Sequence, residues 1–212
     1  MQGAISPGTA RASLWNPKQP DARHLAKRVA QEHVDVVYLC GLIDAGAAAV
    51  LAALRQALPA RTPLVACSGV LPSSLLFEQA GEPARGTYVT VAGLVPERLP
   101  APGRRFVREF GATQAGRPVD MQTVYAAQAA EVLLAAIGRS DGTRASVSRE
   151  LLRTRARNAL VGPLSIDGFG DPVPTPVTVL RLDRAGRSNA ILSYEGAHVD
   201  RVIQPALRLR GP

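Results

Sequence analysis

VDVVYLCGLIDAGAAAVLAALRQALPARTPLVACSGV, residues 34–70, is the stretch from which the fold is read. Val34 to Cys40 is a nearly continuous apolar, β-branched run that stops at Gly41, the pattern of a strand covered on both faces. Asp44 then precedes an apolar helical stretch to about Leu58, with Val50, Leu51, Leu54 and Leu58 on the inward face, so Asp44 is expected to cap that helix. Pro59 and Pro63 bracket its exit, and Pro63 to Cys67 reads as a second short buried strand. Strand, helix and strand at this spacing make a parallel pair with a right-handed crossover.

The same alternation continues outward. Upstream, Asp21 is placed to cap a helix whose apolar positions Ala22, Leu25, Ala26 and Val29 repeat at the helical period through about His33. Downstream, Pro72 to Ala80 reads as a short helix and Thr87 to Ala92 as a third strand. The expected class is α/β, a Rossmann-like parallel sheet with helices on both faces. In such sheets ligands sit at the C-terminal strand ends, here Cys40 to Asp44, Cys67 to Val70 and Ala92 to Val95.

Past Pro96 the organisation shifts. Val95 to Gly103, with three prolines, reads as a linker, and Arg104 to Phe110 as a short basic helix. Asp120 or Thr123 opens a long helix to Ile137 that is apolar almost all round and therefore has to be enclosed. The segments that follow are a helix from Ser146 to Arg153 and a weak strand from Gly162 to Ile166, too little to enclose it. Pro176 to Leu182 and Ala190 to Tyr194 alternate as strands joined by a turn at Asp183 to Arg187, and from about Val199 the chain reads as a tail.

The 212 residues are 46% hydrophobic and 20% charged, enough for one full domain and part of another, and too apolar for a disordered chain. The apolar run Ala45 to Leu54 is far too short to cross a bilayer, so no membrane span is expected, and Met1 to Ala12 does not read as a secretory signal. Net charge is +8, and of the 25 basic residues only Lys18 and Lys27 are lysines. Nucleic-acid binding is not expected: aromatics to stack bases are only 4%, and the densest arginines, Arg104, Arg105 and Arg108, then Arg149, Arg153, Arg155 and Arg157, fall in helices or at helix ends as solvated charge.

The motifs of common chemistry are missing. Gly41 to Gly46 follows a strand and precedes a helix, but Ala47 and Ala48 stand where a phosphate loop needs Lys and Ser or Thr. No G-x-G-x-x-G indicates a dinucleotide, Ser68 lacks the G-x-S-x-G elbow of a hydrolase, and His24, His33 and His198 have no metal-ligand spacing. Neither an enzyme, a cofactor nor a metal is expected. What the strand ends offer is small and polar: the Asp44 carboxylate, which suits an ammonium group if it does not cap its helix, the Ser68 hydroxyl beside Gly69, and helix-start N–H groups that suit a carboxylate. That set fits a small zwitterion. Cys40 and Cys67 each end a strand, and two readings stand for them, a pair of buried thiols or a disulfide.

The order of segments resembles the C-terminal portion of the type I periplasmic solute-binding proteins, in particular the leucine, isoleucine and valine binding family of branched-chain amino acid ABC transporters. The resemblance rests on HLAKRVAQEHVDVVYLCG (24–41), TPLVACSGV (62–70), GEPARGTYVT (81–90), YAAQAAEVLLAAI (125–137), NALVGPLSIDGFGDP (158–172) and TPVTVLRLDRAGRS (175–188). It implies two lobes that close on an amino acid, an ABC transporter permease as partner, and a periplasmic or extracellular location. Residues 1–113 and 174–198 would then form lobe two, 114–173 part of lobe one, and 199–212 a tail. The opening units of lobe one are not in this sequence, which leaves the helix from Tyr125 to Ile137 uncovered and predicts self-association through it.

Two positions depart from the family pattern. An acidic residue that often takes the ligand ammonium after the second strand is replaced by Ser68, and an aromatic past the first strand by Leu42. The implied ligand positions are therefore Leu42, Asp44, Ser68 and Gly69. The competing reading, from another class, is a ligand-sensing or vestigial domain of a larger receptor or transcriptional regulator, which is cytoplasmic.

Overall fold

The computed structural model describes residues 10–14, 21–188 and 193–204. The chain divides into two compact units, Met1–Val89 with Arg181–Ala197, and Thr90–Leu180 with His198–Pro212.

The first unit contains α1 (Ala22–Gln31), β1 (Val37–Leu39), α2 (Ala47–Ala57), β2 (Leu64–Cys67) and α3 (Ser73–Ala80). Asp21 caps α1 as expected, its carboxylate accepting the His24 N–H at 2.8 Å. Leu25 and Ala26 are buried while the basic residues around them are exposed, and this apolar side packs on α2. Buried Val50, Leu51 and Leu54 of α2 lie with Leu39, Leu64, Ala66 and Leu76 in the core. β1 and β2 pair in parallel, the arrangement that their spacing around α2 dictates. Strand β1 is covered less than expected: Tyr38 is 55% exposed, since β1 is the edge strand of its sheet.

The third strand, β3 (Tyr88–Ala92), and β7 (Val177–Leu182) each pass from one unit to the other. With β8 (Ala197–Ile203) they complete a five-stranded sheet of order β1-β2-β3-β7-β8. Strand β8 corrects the expectation of a tail from Val199. Its alternation is weak because His198, Asp200 and Arg201 are exposed. Of the expected strand Ala190 to Tyr194, residues 190–192 lie outside the described residues, and Ser193 and Tyr194 are not in a strand.

The second unit holds α4 (Ala101–Ala112), α5 (Met121–Arg139), α6 (Arg144–Leu152) and a small antiparallel sheet of β4 (Arg155–Ala156), β5 (Leu164–Ile166) and β6 (Pro172–Val173). The expected linker Val95 to Gly103 is instead a 3-10 turn over Pro96–Arg98 followed by the first turn of α4. Prolines are tolerated at helix starts, where the missing N–H has no partner to lose. Asp120 caps α5, accepting from both the N–H and the hydroxyl of Thr123 at 2.8 Å. Helix α5 packs on α6 and α4, burying Met121, Val124, Gln128 and Ala136 and half-burying Thr123, Tyr125, Ala127 and Val132, while Leu133, Leu134 and Ile137 stay exposed. Among the described residues no helix is long and apolar enough to cross a membrane.

Candidate functional site

The register of β1 on β2 runs Val37 to Leu64, Tyr38 to Val65 and Leu39 to Ala66. The next residues, Cys40 and Cys67, therefore leave the two strands side by side. The Cys67 thiol donates to the Gly41 carbonyl at 3.5 Å, tying the loop after β2 to the loop after β1. Gly69 closes the same seam: a Cβ built there would lie 2.6 Å from the Gly41 oxygen and 2.9 Å from Leu42 Cδ2. Five of the six residues singled out from sequence, Cys40, Leu42, Cys67, Ser68 and Gly69, thus share one junction of two strand ends. Leu42 is 62% exposed there, an apolar surface beside polar groups.

Both thiols are free, Cys40 exposed and Cys67 half-buried. The charge of neighbouring Cys67 pushes the Cys40 thiol above its ordinary value of 9.0, with a hydrogen bond to Cys67 and burial adding in the same direction.

Asp44 differs from its expected role. It sits within a 3-10 turn, Ile43–Ala45, and Gly46 takes the N-cap position of α2 with φ of 85°, a left-handed conformation that glycine adopts without a Cβ penalty. No side-chain bond caps α2. The Leu42 carbonyl accepts from the Ala45 and Ala47 N–H groups and holds the turn against the helix start. The Asp44 carboxylate is exposed and is not used as a cap.

In the second unit, the segment after β3 is fixed by three bonds. The Gly93 N–H donates to the Pro176 carbonyl at 2.7 Å, the buried Thr178 hydroxyl donates to the Gly93 carbonyl at 2.7 Å, and the Leu94 N–H donates to the Tyr125 hydroxyl at 2.7 Å. Tyr125→Phe is expected to lose about 1 kcal/mol in urea unfolding, the worth of one such bond with its donor left unpaired. Burial raises the Tyr125 phenol above its ordinary value of 10.0, against the opposing Leu94 bond. Its contribution is therefore complete below pH 10.0 and is lost as pH rises through the higher folded value, a loss the phenylalanine variant will not show.

Beside this segment a groove of about 910 Å³ runs along α5, lined mainly by apolar side chains including Leu99, Val132, Leu133, Leu151, Val161 and Leu164. Leu133 brings part of the exposed apolar side of α5 to this groove, while Leu134 and Ile137, also exposed, are not on its lining. Among the described residues there is no group of three His, Cys, Asp or Glu side chains suited to a metal.

The chain matches the family model described as periplasmic binding protein over residues 9–187. Among solved structures it is similar to the leucine binding protein LivK from Thermotoga maritima MSB8, at 21% identity over 87% of this chain and 49% of that one, with a TM-score of 0.68. It is also similar to an ABC transporter substrate-binding protein from Desulfitobacterium hafniense in complex with Leu, at 18% identity over 82% and 48%, TM-score 0.59. A third is the solute binding protein of an ABC transporter from R. palustris in complex with benzoate, at 19% identity over 88% and 50%, TM-score 0.55. The chain spans about half the length of these proteins. No curated protein matches it.

Proposed function

Because the chain belongs to the periplasmic binding protein family, whose type I fold it has in part, we propose that it is a noncatalytic solute-binding component of a branched-chain amino acid type ABC transporter. The ligand in this reading is a small amino acid or a related polar metabolite, held between two lobes in the complete form. Residues 1–113 with 174–198 are assigned to one lobe and 114–173 to the other. The permease of the transporter is the macromolecular partner, and the location is periplasmic or extracellular, as the family implies.

The observation that carries this reading is the junction of the β1 and β2 ends. It presents the Ser68 hydroxyl and the apolar Leu42 on two short, mutually bonded loops, and the exposed Asp44 carboxylate follows Leu42 by two residues in the next turn. An ammonium group meets Asp44, a ligand oxygen meets the Ser68 hydroxyl, and an apolar side chain lies on Leu42. Neither thiol has a part in the chemistry, and a disulfide between Cys40 and Cys67 is proposed only for an oxidising compartment.

Calorimetric titration tests the reading, using a polypeptide that also includes the remaining half of the relatives' length. A panel of amino acids is expected to give saturable heat for at least one. Asp44→Asn is expected to weaken that binding about tenfold or more, the value of a charge-assisted bond. Absence of heat with every amino acid and small amide overturns the proposal.

A further inference from the structure

A second concavity lies in the second unit, formed by the C-terminal half of α5 and the chain that leaves α6 for β4. Its volume is about 450 Å³, and four arginines line it, Arg139, Arg153, Arg155 and Arg157. From sequence the last three look like solvated charge. Arg139 joins them from α5, which no local pattern predicts.

The charges are only partly balanced. Glu150 of α6 bonds both Arg139, at 3.3 Å, and Arg153, at 2.8 Å, so one carboxylate serves two guanidinium groups. Arg155 donates to the carbonyls of Thr154 and Ile166, neutral acceptors that leave its charge intact. No carboxylate among the described residues pairs with Arg155 or Arg157. The one acidic residue on the lining is Glu131, which accepts from Gln128 at 3.3 Å.

Thr154 contributes to the lining, but its hydroxyl oxygen is sealed from solvent and has no hydrogen-bond partner, so it is not offered to the pocket.

We propose that this pocket binds a small phosphate-bearing dianion, with the phosphoryl oxygens on Arg155 and Arg157. Guanidinium forks match phosphate oxygens two at a time, and the volume leaves room for an organic group beyond the phosphate. The proposal is independent of the amino-acid reading, because every residue it uses belongs to the second unit.

The test is titration calorimetry of the chain itself at fixed ionic strength, with inorganic phosphate and glycerol 3-phosphate as probes and citrate as the carboxylate comparison. Both phosphates are expected to saturate at one site, and binding by inorganic phosphate alone assigns the free ion. Arg157→Ala is expected to weaken binding about tenfold or more, while Arg105→Ala, an exposed pair with Glu109 on α4, leaves it unchanged. Arg155→Ala is likewise expected to weaken binding about tenfold or more, whereas Thr154→Val, at a hydroxyl closed off from the pocket, is expected to leave binding unchanged. Unsaturable heat, equal affinity in the Arg157 variant, or citrate binding tighter than phosphate overturns the proposal.

Discussion

Gly69→Ala is expected to lower stability by about 2–3 kcal/mol, the upper part of the range for an overpacked site. The added Cβ would sit 2.6 Å from the Gly41 carbonyl oxygen, 2.9 Å from Leu42 Cδ2 and 3.3 Å from Cys67 Sγ. The leucine methyl has freedom to rotate away, but the carbonyl is backbone and moves only if the loop after β1 moves. For a chain of this length the cost corresponds to a fall of about 5–10 °C in melting temperature. The same displacement breaks the bond from Cys67 to Gly41, so any ligand held at this junction is lost with it. Gly138→Ala is the matched comparison. It meets nothing within 4 Å near the end of α5, and it is expected to be neutral or to stabilise by up to about 1 kcal/mol, since alanine is the better helix former. Thermal unfolding followed by circular dichroism measures both, and equal melting temperatures for the two variants would remove the argument for a tightly closed seam.

The second large effect concerns the open side of α5. Leu134 is 67% exposed, Ile137 46% and Leu133 44%, next to an apolar groove, and exposed apolar patches of this kind drive association. At tens of micromolar the chain is expected to pair with a second copy through this face. Burying a leucine or isoleucine side chain is worth about 1.5–3 kcal/mol, so Leu134→Glu with Ile137→Glu is expected to weaken pairing by about a hundredfold or more. Light scattering coupled to size exclusion reads the change as a shift to the monomer mass, and binding of a hydrophobic dye falls with it. A wild-type chain that is monomeric and does not bind the dye contradicts the expectation. A polypeptide that also carries the remaining half of the relatives' length is expected to associate less, because in the proposed two-lobe form this face is covered.

Much of the first unit was legible because its signals are local and strong. Ala22, Leu25, Ala26 and Val29 at helical spacing, the β-branched Val36 and Val37, and the proline-bounded Leu64 to Cys67 each specify one kind of element, and those elements are present. Asp44 was misread for a physical reason. An aspartate before an apolar helix is the usual cap signal, but the 3-10 turn consumes Ile43 to Ala45 and moves the helix start to a left-handed glycine. Strands β4 and β6 have two residues each, too few to show a period, and β8 carries charge on an open surface. The arginine pocket was only partly visible: Arg153, Arg155 and Arg157 make a dense basic group in the sequence, and Arg139 joins them only when α5 packs on α6. The ligand junction lay between these cases: Ser68 and Gly69 were marked by their position after a strand, whereas their contact with Gly41 and Leu42 depends on the register of β1 and β2.

The paired thiols at the ends of β1 and β2 have a practical consequence. With both thiols reduced, Cys40 is exposed next to Leu42, and its elevated proton affinity makes alkylation slow at neutral pH and faster as the solution becomes alkaline. A polarity-sensitive fluorophore attached there under mildly basic conditions would sit at the rim of the proposed receptor surface, turning the native sequence into an optical reporter of occupancy without an engineered anchoring residue.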